Sequence, residues 1–75
     1  MTLLKITCNT VLSCSNCVDY IHQQGYDAVQ IGDSLALVTD FEPHESRQVN
    51  QMQRFNPRTH EANQWDKDYF NGQVN

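Results

Sequence analysis

The chain reads as an α+β protein, a small sheet covered by helices. Three patterns predict this. Apolar residues alternate over positions 2–8, recur at helical spacing over 11–24, and then fill two short β-prone runs at 26–31 and 35–39 on either side of Gly32-Asp33. The predicted order is β-α-β-β-α-α, a three-stranded mixed sheet under one helical layer.

In the first strand Leu4, Ile6 and Cys8 fall on one face, and Leu3, Lys5 and Thr7 on the other. Asn9 and Thr10 are the kinds of residue that cap a helix N-terminus. Val11, Cys14, Val18 and Ile21 then make a helical stripe, which Cys17 widens. Gly25 supplies a left-handed stop, so the helix covers 11–24, or 14–24 if Ser13 is the cap. Residues 26–31 and 35–39 form a hairpin around Gly32-Asp33. The first two strands flank a helix and are expected to run parallel with a right-handed crossover, and the third to return antiparallel to the second.

Asp40 or Glu42 can cap a second helix with Pro43 in its first turn; Val49, Met52 and Phe55 mark its inner face, and Asn56-Pro57 ends it. A third short helix is predicted over 59–71, with Thr59 as cap, Ala62, Trp65 and Tyr69 on one side, and Gly72 as stop. Residues 1–56 are thus the α+β core domain. Residues 57–75 form a helical or extended C-terminal segment that packs on the core or binds a partner.

Seventy-five residues suffice for one domain. Such a chain buries only about 60% of the surface its unfolded form exposes, so every large apolar side chain counts. The net charge of −4 is unevenly spread. Up to Glu45, Lys5 alone faces Asp19, Asp27, Asp33, Asp40, Glu42 and Glu45; beyond it, Arg47, Arg54, Arg58 and Lys67 outweigh Glu61, Asp66 and Asp68. Binding to nucleic acid needs clustered cations, which the first part lacks altogether. An acidic face that docks on a basic protein is the better expectation. No stretch reaches the roughly 20 apolar residues of a membrane span. Residues 1–7 carry a lysine and only a short apolar run, which is no signal peptide. The expected setting is a reducing cytoplasm, where thiols stay free or bind metal.

Chemistry, if the chain has any, centres on Cys14-Ser15-Asn16-Cys17. A CxxC at a helix N-terminus lowers a thiol pKa through the helix dipole and free backbone N–H groups. Residues 3–31, running strand, CxxC, helix, Gly-Tyr, strand, loosely resemble the opening of a glutaredoxin, which implies dithiol redox chemistry. Residues 3–39 are similar in order to the heavy-metal-associated domains, a resemblance that implies a soft ion such as copper. That family has a fourth strand and a Met before its first motif Cys. Cys8, Cys14, Cys17 and His22 form the alternative zinc or copper ligand set. Against both stands simple packing. Cys behaves as a small buried hydrophobe, Cys8 shares a strand face with Leu4 and Ile6, and Cys14 is in register with Val18 and Ile21. Core thiols are the expectation, with no cofactor.

No Ser-His-Asp order, phosphate loop, paired-Glu helix or HExxH occurs, so no enzyme is expected. The predicted function is binding of another protein, or of a second copy as a homodimer. One surface is the acidic run Asp33, Asp40, Glu42 and Glu45. The other gathers Arg54, Arg58, Trp65, Tyr69 and Phe70, residue types enriched at interface hot spots, with Trp65 turned inward and Phe70 and the arginines outward. Compactness, acidity and the lack of catalytic groups match regulators or inhibitors encoded by phages and other mobile elements.

Overall fold

The computed structural model describes residues 3–32, 35–55 and 58–74. Its elements are β1 (Leu4–Thr7), α1 (Val11–Gln23), β2 (Ala28–Ile31), β3 (Ala36–Thr39), α2 (Ser46–Gln53), β4 (Arg58–Glu61) and α3 (Gln64–Val74). The α+β class stands, but the sheet is not three-stranded and mixed. It has four strands in the order β2-β3-β1-β4, and every pairing is antiparallel. β1 and β2 do run in the same direction, because both are antiparallel to β3, yet β3 lies between them. The arrangement through β4 is a split β-α-β pattern, β-α-β-β-α-β, and α3 follows it.

Register explains the packing. Side chains of directly paired residues share a face, so Leu4, Thr39, Ala28, Ile6 and Leu37 look one way while Lys5, Val38, Val29, Ala36 and Ile31 look the other. The first face meets α1 and α2. There Ile6, Cys8, Leu37 and Ala28 pack with Cys14, Cys17 and Ile21 of α1, and with Phe41, Met52 and Phe55. The second face meets α3, where Val38 and Ile31 pack with Leu3, Ala62 and Phe70. The single covering layer expected from the sequence is therefore two, one on each side of the sheet.

Thr10 caps α1: its Oγ1 accepts from the Ser13 N–H at 3.0 Å. Val11, expected on the inner stripe, is exposed in the first turn beside Leu12. Gly25 takes a positive φ of 87° just past the helix, as a left-handed stop requires. Gly32 also has a positive φ, of 64°. Neither Asp40 nor Glu42 caps α2. Glu45 does, the Gln48 side chain accepting from its N–H at 3.2 Å, and Pro43 precedes the helix instead of opening it. Gln48 also donates to the Gln24 side chain at 3.2 Å, which ties α2 to the end of α1. Thr59 caps no helix; it lies in β4, and α3 begins five residues later. Thr2, Asp33, Asn56 and Pro57 lie outside the described residues.

Candidate functional site

The thiols come first because the sequence singles them out. Cys8, Cys14 and Cys17 are free and buried. Since α1 starts at Val11, the Cys14 N–H already donates to the Thr10 carbonyl at 3.0 Å, so the CxxC lies within the helix and not at its mouth. The three sulfurs are neighbours, Cys8 interacting with both of the others. Burial pushes the Cys17 thiol up to about 12, with the adjacent Cys8 and Cys14 adding to the shift. Burial likewise raises Cys8 to about 11, with Cys14 as the next cause. These are the opposite of activated thiolates. His22 of the alternative ligand set is exposed. Among the described residues, no three His, Cys, Asp or Glu side chains are arranged to hold a metal ion. The cluster packs; it presents no reactive group to solvent.

On the α1/α2 side of the sheet, α2 leaves a groove of about 220 Å³. Its walls are mostly apolar, formed by Leu4, Ile6, Phe41, Pro43, Met52 and Thr59. Val49, predicted to be core, is exposed at its rim. Of the expected acidic run, Asp33 lies outside the described residues and the other three line no part of this groove. Glu42 stands exposed between lining residues Phe41 and Pro43, Glu45 is exposed at the α2 cap, and Asp40 keeps a buried Oδ1 with no hydrogen-bond partner. Glu61, which the sequence did not single out, faces the same side because it pairs with Leu4. Arg47 lies 3.6 Å from Glu45, with both side chains in solvent, a weak pair.

On the opposite side, α3 carries a stacked aromatic pair, Trp65 exposed and Tyr69 half-buried. Trp65 is 61% exposed and stacks on Tyr69 with ring centroids 5.3 Å apart and planes 16° from parallel. Phe70, expected outward, is 2% exposed in the core. The inward and outward assignments of Trp65 and Phe70 are thus reversed, because Asp66 and Phe70, four apart, form the buried stripe of α3. Asp66 can sit there because its needs are met. Its N–H donates to Asn63 Oδ1 at 2.8 Å, its Oδ2 accepts from the Asn63 N–H at 3.2 Å, and Lys5 Nζ lies 3.9 Å from Oδ1.

The expected second surface is therefore divided. Arg58 shares a sheet face with His60 and Lys5, the face that α3 packs on, whereas Arg54 is the C-cap of α2 in the other layer. Trp65 and Tyr69 remain together, while Phe70 belongs to the buried cluster. Comparison of the chain with protein-family models, with curated proteins and with solved structures finds no match.

Proposed function

We propose that this chain is a non-enzymatic binding protein that acts on another protein, as a regulator or inhibitor, in the reducing cytoplasm. The observation that carries the reading is exposed Trp65 stacked on half-buried Tyr69. A domain this small needs its large apolar side chains inside, yet it leaves its single Trp in solvent while burying an aspartate on the same helix. Trp and Tyr at a fixed geometry supply contact area at low entropic cost. The buried, raised-pKa thiols support a structural role for the CxxC over a redox or metal one.

The test places a photo-crosslinking residue at exposed Asp68, one turn from Trp65, and at exposed Asn16 on α1 as a control. A single protein partner should be captured at Asp68 and not at Asn16. Trp65→Ala should weaken that complex about thirtyfold, the roughly 2 kcal/mol of a hot-spot residue. Capture that is equal at both positions, or unaffected by Trp65→Ala, would overturn the assignment.

A further inference from the structure

β4 is the least explained element of the fold. All four of its residues are exposed, and among the described residues it pairs only with β1 and forms one edge of the sheet. Its hydrogen-bonding direction can be read from two bonds. The Ala62 N–H donates to the Leu3 carbonyl at 3.1 Å, and the Cys8 N–H to the Leu35 carbonyl at 2.7 Å. In an antiparallel ladder bonded and non-bonded pairs alternate. Leu3, Lys5 and Thr7 therefore turn their peptide groups to β4, where Arg58 and His60 answer them. The peptide groups of Thr59 and Glu61 point outward, along the free edge. Both side chains lie on the α1/α2 side of the sheet, and Thr59 lines the groove.

From this we infer that the edge of β4 and the adjoining groove bind an extended segment of a partner protein as a fifth strand, with an apolar side chain in the groove and a lysine or arginine two residues away beside Glu61. Strand addition of this kind takes affinity from main-chain hydrogen bonds and specificity from pockets that accept alternate side chains. An added strand lies about 4.8 Å beyond β4, which lets a long apolar side chain lean over Thr59 towards Leu4, Ile6 and Met52. The charge pattern picks the occupant. Glu61, paired with Leu4, puts a carboxylate on the groove side of this edge, and Arg58, paired with Thr7, puts a cation on its other face. The fitting segment thus reads apolar, acidic or uncharged, basic. A second copy of the chain fits less well, since its own edge would put another Glu61 on the face where the first calls for a cation. The inference rests on the binding-protein reading and adds a second surface to it, on the side of the sheet away from Trp65.

The test titrates the isotope-labelled full chain with a synthetic end-blocked octapeptide that carries an apolar residue and a lysine two positions apart, monitored by amide NMR. Shifts should concentrate at Thr59, Glu61, Leu4 and Ile6, and the Thr59 and Glu61 amides should gain protection from exchange. Thr59→Pro removes an outward N–H that β1 does not use, a position where an edge strand tolerates proline, and should weaken binding at least tenfold. The same peptide, N-methylated at the pairing amides, should fail on the unaltered protein, which keeps the test decisive should Thr59→Pro misfold. Glu61→Lys should also weaken binding and reduce its salt dependence. Trp65→Ala should bind the peptide as the wild type does, so failure here leaves the α3 surface standing. Equal binding by the N-methylated peptide, shifts confined to α3, no binding at millimolar peptide, or protection of β4 by self-association without peptide would each overturn the inference.

Discussion

Cys17 has no exposed surface and sits against Cys8 and Cys14, an arrangement that favours its protonated form. Folding raises the Cys8 and Cys17 pKa values from an ordinary 9.0 to about 11 and about 12. The stability from the neutral thiols is therefore complete below pH 9.0 and is lost as pH rises through the folded values. Within that window each thiol contributes a slope of about 1.4 kcal/mol per pH unit. Cys17→Ala should cost about 1 kcal/mol at pH 7. Urea midpoints of the variant should then fall less steeply than the wild type's between pH 9 and pH 11. Identical slopes would mean that Cys17 titrates as freely in the folded chain as in the unfolded one. The burial of Cys8 and Cys14 was legible in the sequence, since each falls in step with apolar neighbours. The exposure of Val11 was not, because periodicity gives no measure of how far the sheet extends over the first turn of α1.

Among the elements, β1, α1, β2 and β3 follow from alternation and helical spacing, their ends trimmed by one or two residues. β4 does not. Arg58, Thr59, His60 and Glu61 carry no apolar alternation, and all four are exposed, so the pattern that marks a half-buried strand is missing. The groove has no signature in the sequence, since its walls come from separate parts of the chain, Leu4, Phe41, Met52 and Thr59 among them. α3 was misoriented because its buried stripe contains a carboxylate. Asn63 and Asp66 form a reciprocal cap in which each side chain accepts from the other's N–H. Asp66→Ala should cost about 1–2 kcal/mol in urea unfolding. Asp66→Asn keeps an acceptor for the Asn63 N–H and should recover most of the loss, because the 3.9 Å pair with the partly exposed Lys5 contributes little. If Asn proves as damaging as Ala, the charge towards Lys5 outweighs the cap.

At the scale of the whole molecule, one four-stranded sheet separates two apolar clusters, and neither helical layer covers both. A chain under about 80 residues rarely gains more than about 3–5 kcal/mol from its core, so losing either cluster should unfold the whole. Phe70 is the largest buried side chain in the α3 cluster, and Phe→Ala substitutions in cores cost about 3–5 kcal/mol. Phe70→Ala should therefore leave a large unfolded fraction at 25 °C, with lower melting temperature and urea midpoint. The single Trp allows a direct check of coupling. Trp65 sits on α3 and reports that helix by fluorescence, while far-UV circular dichroism is dominated by the rest of the chain. If α3 is integral to the fold, both signals should follow one urea transition in the wild type, as a two-state domain requires, and both should move together in Phe70→Ala. A fluorescence transition that precedes the dichroism, or a Phe70→Ala variant with an unchanged midpoint, would identify α3 as a detachable arm. Trp65 would then be presented to a partner by a helix that is not held in place by the core.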